Sequence, residues 1–333
     1  MENKIINSLI ILIICFILLI LSALAGICFG SVNLSPCEVL FGLIDGSATA
    51  DGRIIYCVRL PRVMAAVLAG SALAVSGTII QSVLGNPLAS PNIIGVNSGA
   101  GFFTVLCMAV FPMTPELYPT AAFAGALGAV MTVYFISRKT GASKITLVLA
   151  GVAISSLFSA GTDTITTFFP DTLTGISAFK IGGVGSVTIE KLMPAWIYII
   201  VGILAAIFMS HEIDILSLGD STAHTLGMNV KLIRFILLMI SALLAGSAVS
   251  FAGLLGFVGL IVPHAARRII GNESKCLIPA CALLGGTFVT VCDLLSRTVF
   301  APHEIALGIV ISYIGVPFFI YLLLKKKGGR HGA

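Results

Sequence analysis

The sequence predicts an all-α polytopic membrane protein of about ten transmembrane helices. Three observations carry that fold class. Of 333 residues, 58% are hydrophobic and 10% charged, against about 25% charged in ordinary soluble domains, so this chain cannot build a water-exposed surface. Apolar runs near the roughly 20 residues that cross a bilayer core recur from end to end, divided by glycine, proline or charge. The 35 glycines, clustered with alanine and serine as in Gly70-Ser71-Ala72 and Gly246-Ser247-Ala248, allow the close backbone approach that holds helices together in lipid.

Taken in order, the predicted spans are 5–28, 62–84, 93–111, 118–137, 145–168, 192–210, 232–252, 254–270, 277–295 and 304–324. The first follows Lys4 and is longer than a signal-peptide core of about 7–15 residues, so it reads as a retained span. Pro61 and Gly85 bracket the second, and Pro112 follows the third. Arg138 and Lys139 end the fourth, Pro170 follows the fifth, and His211 and Glu212 follow the sixth. Only Gly253 and Gly256 divide the seventh from the eighth, Gly271 ends the eighth, and Lys325 to Lys327 close the tenth. Residues 1–333 thus read as a single transmembrane domain, with a polar loop at about 210–230. A weak repeat is visible, since Leu68-Ala69-Gly70-Ser71-Ala72 recurs as Leu244-Ala245-Gly246-Ser247-Ala248, with Gly77, Pro87 and Gly95 meeting Gly253, Pro263 and Gly271 at the same offset. It relates segments five spans apart and hence of opposite topology, as in many transporters.

Positive charge stays cytoplasmic during insertion. With the N-terminus inside, the inner segments hold Lys4, Arg138, Lys139, Lys144, Lys231, Arg234, Arg267, Arg268, Lys275, Lys325, Lys326, Lys327 and Arg330. The outer segments hold only Arg53, Arg59, Arg62, Lys180, Lys191 and Arg297. Both termini are therefore expected in the cytoplasm. The net charge of +5 is scattered over short loops without interleaved aromatics, which excludes nucleic acid as a partner and leaves membrane lipid.

No nucleophile with its base, metal cluster or phosphate-binding loop is recognisable, so neither catalysis nor a cofactor is expected. The eight cysteines form no C-x-x-C pair and read as apolar packing residues; Cys37 and Cys57 share one outer segment, but spacing alone does not establish a disulfide. Ion-coupled carriers place carboxylates near the bilayer midplane. Here the only candidates within spans are Asp163 and Asp293, each nearer an outer end. Ser155, Ser159, Thr162 and Thr166 share one helical face, which either lines a pathway or bonds back to helix carbonyls. Residues 212–227 interrupt the hydrophobic pattern, and a short helix ending at Gly227 fits a docking element for a soluble partner.

Several motifs occur together in order. They are Arg59-Leu60-Pro61-Arg62; Ser76-Gly77 with Gln81; Asn86-Pro87-Leu88-Ala89 with Pro91 and Gly95; and Leu216-Ser217-Leu218-Gly219 with Ala223 and Leu226-Gly227. Phe257-Val258-Gly259-Leu260 follows, running into Pro263-His264 and Arg267, then Asp293 with Arg297, and Glu304 with Gly308, Gly315, Pro317 and Phe318. In this ordered set, spanning residues 59 to 318, the chain resembles the FecCD-type permeases, which are similar to the membrane subunit of the vitamin B12 importer. The resemblance implies a type II ABC importer permease fold with an inverted repeat, in the cytoplasmic membrane of a prokaryote. It also implies transport of an iron-siderophore, haem, cobalamin or related metal chelate. Expected partners are a second permease copy, identical or paralogous, two ATPase subunits below and a substrate-binding protein above. Leu216, Leu218, Gly219, Ala223, Leu226 and Gly227 are then expected to couple to the ATPase, and Arg59, Arg62 and Arg297 to receive the binding protein's glutamates. Gly77, Gln81, Asn86, Pro87, Gly259, Pro263 and His264 are expected to be structural. Two stretches depart from the family pattern: Glu304-Ile305-Ala306-Leu307-Gly308 replaces its Glu-Leu-Pro-Val-Gly, and Phe179-Lys180-Ile181-Gly182-Gly183 replaces its Trp-x-x-Gly-Ser. The competing readings are an ion-coupled carrier with inverted repeats and a membrane scaffold or enzyme.

Overall fold

A computed structural model describes residues 2–30, 35–45, 49–140 and 143–328, and among these all regular secondary structure is helical. Each predicted span contains a helix: α1 (Glu2–Cys28), α4 (Leu60–Leu84), α5 (Val96–Val110), α6 (Tyr118–Lys139), α7 (Lys144–Phe168), α9 (Ile189–Phe208), α12 (Val230–Ala252), α13 (Val258–Ile270), α14 (Ser274–Thr298) and α15 (Leu307–Gly328). Seven of these are long and apolar enough to cross a membrane, and α5 and α15 are shorter apolar helices. Five short helices join them: α2 (Pro36–Asp45), α3 (Ala50–Ile54), α8 (Thr172–Ile181), α10 (Ser210–Ser217) and α11 (Asp220–Thr225). Cys37 and Cys57 are free, exposed thiols.

Two boundaries differ from the sequence reading, for one physical reason. The chain from Gly85 to Gly95 is not α-helical, apart from a 3-10 turn over Pro91–Ile94, and the chain from Gly253 to Phe257 is also unwound. Positive φ angles of 85° at Gly95, 66° at Gly253 and 61° at Phe257 break the helical path. The third and eighth helices therefore start several residues later than hydropathy suggests. Ala89, Pro91 and Ile94 are buried, and a side chain on Gly151 of α7 would strike the Ile93 carbonyl. Unwound backbone at membrane depth survives only when enclosed by protein or lining a cavity.

The core is organised around α4, which is buried on nearly every side by α14, α12, α13 and α9, whereas α1 turns most of its surface outward. The repeated small-residue clusters occupy matching places. Gly70 of α4 lies against the Gly285 backbone of α14, and Gly246 of α12 lies against Ala126 of α6. The 176-residue offset does not extend further, because Gly253 ends α12 while Gly77 is inside α4.

Candidate functional site

Five motif residues meet where α4 crosses α13. Pro263 has no N–H and so cannot bond the carbonyl one turn back, at Gly259. Gln81 Nε2 donates to that free carbonyl at 3.4 Å, and Arg267 Nη1 donates to Gln81 Oε1. Gly77, one turn before Gln81, lies against the Gly259 backbone with no room for a Cβ. Asn86 Oδ1 accepts from Leu88 N at 3.0 Å and turns the chain at Pro87 into the unwound stretch. His264 packs edge-on to Phe318 with ring centroids 6.1 Å apart.

Beyond the end of α4, α10 and α11 form an elbow. Ile213 and Leu216 are fully buried and anchor α10. Asp214 accepts from Ser274 N at 3.0 Å and thereby caps α14. Gly219, at φ 106°, makes the bend into α11, and Gly227, at φ 83°, the exit. Arg234 of α12 reaches Asp220 at 2.7 Å and Lys144 of α7 reaches it at 3.5 Å. Burial alone would raise the Asp220 pKa, but the hydrogen bond and charge of Arg234, helped by Lys144, outweigh it and hold the carboxyl below its usual range. Of the residues expected to couple, Ala223 is fully buried while Leu218 and Leu226 remain 63% and 61% exposed. The elbow is thus braced from beneath and carries two exposed leucines among exposed polar residues on top.

The hydroxyl face of α7 divides. Ser155, Ser159 and Thr162 wall a cavity of about 310 Å³ with Asn92, Asn97 and Lys180, and Ser98 Oγ donates to Ser155 Oγ at 3.1 Å. Thr162 Oγ1 bonds back to the Phe158 carbonyl at 2.9 Å, and Thr166 Oγ1 bonds back to the Thr162 carbonyl at 3.1 Å without reaching the cavity wall. A larger, mostly apolar cavity of about 670 Å³ lies between the end of α8, the unwound Leu254–Gly256 stretch and the face of α15 carrying Gly308, Ser312 and Tyr313. Lys180 and Leu254 belong to both walls. Sequence reasoning missed Lys180 as a lining residue, although its departure from the family pattern was the available signal.

At the opposite end of α4 the three arginines meet, but not as a free surface. Arg59, Arg62 and Arg297 are 4%, 8% and 4% exposed. Arg59 Nη1 donates to the Ile27 and Cys28 carbonyls, and Arg297 Nη2 donates to the Gly26 carbonyl at 2.6 Å, so both close the last turn of α1. Arg62 Nε bonds both oxygens of Asp293, at 3.0 and 3.1 Å, and its Nη1 bonds Glu304 at 2.9 Å. Arg297 Nε lies 3.4 Å from Asp293. In the isolated chain the three arginines are thus buried and take internal acceptors, because leaving an arginine unpaired inside an apolar bundle is costly.

Residues 15–325 match the FecCD transport family. The chain is 37% identical over 316 residues to the Fe(3+)-citrate import system permease protein YfmE of Bacillus subtilis (strain 168), covering 94% of each chain. It is 35% identical over 325 residues to the hemin transport system permease protein HmuU of Yersinia pestis, covering 95% of this chain and 96% of that one. In fold it matches a metal-chelate type ABC transporter in an inward-facing conformation, with a TM-score of 0.85 and 28% identity over 95% of this chain and 99% of the other. A bundle of ten main helices with a braced elbow at one end, matched along almost its whole length, places this chain in the FecCD transport family.

Proposed function

We propose that this chain is the membrane-spanning permease subunit of an ATP-binding-cassette importer, carrying an iron chelate or haem across the cytoplasmic membrane of a prokaryote. The observation that carries this reading is the elbow. Two leucines stand exposed, Leu218 just after α10 and Leu226 just after α11, on an elbow whose first arm is held by α14 and whose second by α7 and α12, which suits a soluble ATPase pushing on the bundle. Both termini and the elbow lie in the cytoplasm, in keeping with the distribution of lysine and arginine. A substrate-binding protein docks at the opposite end, and a second permease copy completes the pathway. The two cavities beside the unwound stretches belong to that pathway, because backbone that breaks helix in a transporter lines a site. An ion-coupled carrier is disfavoured, since Asp293, one of the two carboxylates within the spans, is taken up in ion pairs with Arg62 and Arg297.

Reconstitution with the ATPase and binding protein tests this directly. Uptake of ferric citrate or haem into vesicles is expected to require ATP and to stop with a hydrolysis-dead ATPase. Uptake driven by an ion gradient alone overturns the proposal. Cysteines placed at Ser155 and Ser159, in a background lacking the eight native cysteines, are expected to react with a water-soluble thiol reagent at rates that change with nucleotide state. A cysteine at Thr166 is expected to show no such dependence, and identical behaviour at all three positions excludes this cavity from the pathway.

A further inference from the structure

We propose that Phe257 is a strained latch: its side chain, seated on Gly315 of α15, holds that helix against α13, and its unseating lets the wall of the 670 Å³ cavity open. The consequence for transport rests on the reading that this cavity belongs to the pathway, whereas the latch itself does not. Among the described residues Phe257 is the one non-glycine with a positive φ, at φ 61° and ψ −25°. Val258 N donates to the Gly256 carbonyl at 2.7 Å, two residues back, so Phe257 is the centre of a γ-turn of the rare, strained hand. A Cβ at positive φ crowds the backbone, and a bulky side chain stays there only where its surroundings over-determine it.

Backbone bonds anchor the chain on either side of the turn. The Phe257 carbonyl accepts from Leu260 N and Ile261 N at 3.0 and 2.9 Å, which starts α13. On the other side, Leu254 N donates to the Phe179 carbonyl at 3.0 Å and Gly183 N to the Ala252 carbonyl at 2.8 Å, which ties the unwound stretch to the end of α8. Relaxation is therefore confined to Leu255, Gly256 and Phe257. The side chain of Phe257 supplies the remaining hold. A Cβ on Gly315 would lie 2.5 Å from Phe257 Cγ and 2.7 Å from its Cβ, so the phenylalanine rests on bare backbone and the seat exists only because residue 315 is glycine.

Helix α15 is built to yield at this seat. Pro317 has no N–H, so the Tyr313 carbonyl one turn earlier loses its helical partner, and Gly315 lies between the two. A helix bends at such a point. Tyr313, Val316 and Pro317 wall the cavity together with Leu254 and Gly256 of the unwound stretch, while the head of α15 is held separately, by Gly308 N on the Gly182 carbonyl at 3.5 Å. Bending of α15 thus lifts the seat off Phe257 and frees the turn to relax. Packing favours the closed wall and relief of the positive φ favours the open one, and an element balanced in this way takes two discrete positions that partners can bias.

The test uses the full chain in proteoliposomes, with the eight native cysteines replaced and the fully buried Ile311 of α15 changed to cysteine. The labelling rate of that cysteine by a water-soluble thiosulfonate reads how far α15 leaves the bundle. Phe257→Ala keeps the strained turn and loses the ring, so it is expected to raise the rate severalfold. Phe257→Gly loses ring and strain together and is expected to label several times more slowly than the alanine variant, whereas packing alone predicts equal rates for the two. Gly315→Ala, whose Cβ takes the seat, is expected to accelerate labelling as Phe257→Ala does, and adding Phe257→Gly to it is expected to slow labelling again. Each pair decides alone should the other fail to fold. Equal rates within a pair, or a parent rate in Phe257→Ala or Gly315→Ala, overturn the proposal. Because no ATPase, binding protein or substrate enters this assay, its outcome is separate from that of the transport experiment.

Discussion

Replacing Gly77 by valine is expected to abolish the folded, detergent-stable protein, and alanine there to lower its stability by about 3 kcal/mol or more. A Cβ at this position falls within the Gly259 peptide of α13, and the obstructing atoms are backbone, which cannot rotate aside. The two helices must separate or shift. Overpacking of a well-filled interior costs roughly 1–3 kcal/mol even where side chains give way. Separation also weakens the bond from Gln81 to the Gly259 carbonyl, which then has no donor because Pro263 supplies none. Against a total stability of about 5–15 kcal/mol for a typical domain, that loss is large. Gly101 of α5 is the control, since a Cβ there meets nothing within 4 Å. Gly101→Ala is expected to be neutral or to gain up to about 1 kcal/mol from helix propensity. Thermal unfolding of the purified variants in detergent reads the difference, and equal Tm values for Gly77→Val and the parent would show that α4 and α13 need not touch.

The same region shows what the sequence made legible. Hydropathy located a main helix in each of the ten predicted segments because burial in lipid demands long apolar runs whatever their partners. The ordered motif residues Gly77, Gln81, Gly259 and Pro263 read as structural, and they lie in one contact. What stayed hidden depends on pairs distant in sequence. Arg62 meets Asp293 across 231 residues and Glu304 across 242, and periodicity carries no trace of such partners. A signal was nonetheless available, since an aspartate within a span needs a cation, and Arg297 stands one turn beyond it. The unwound stretches were obscured for a different reason. Leu254, Leu255 and Phe257 are apolar, and hydropathy cannot distinguish a buried helix from buried loop.

Changing both Leu218 and Leu226 to aspartate is expected to eliminate ATP-driven transport while leaving the permease folded. Both side chains are largely exposed and so support nothing within the chain. Covering a leucine fully is worth roughly 1.5–3 kcal/mol, so losing two such contacts to the ATPase weakens association about 100-fold or more. Ala223 and Gly227 are poorer probes, because one is fully buried and the other sits at φ 83°, so bulk at either position deforms the elbow itself. The Asp220 brace sets the pH range of the measurement. Its depressed pKa means that its contribution is complete above the ordinary aspartate value and is lost only as pH falls through the lower folded value. Coupling is therefore expected to be flat through neutral pH, and Asp220→Asn to loosen the elbow there by removing the charge that Arg234 and Lys144 hold. Co-purification of the ATPase with the permease, uptake by reconstituted vesicles and the Tm of the isolated permease separate the effects. Loss of the first two with an unchanged Tm assigns the leucines to docking, whereas full transport by the double aspartate variant removes the elbow from the coupling path.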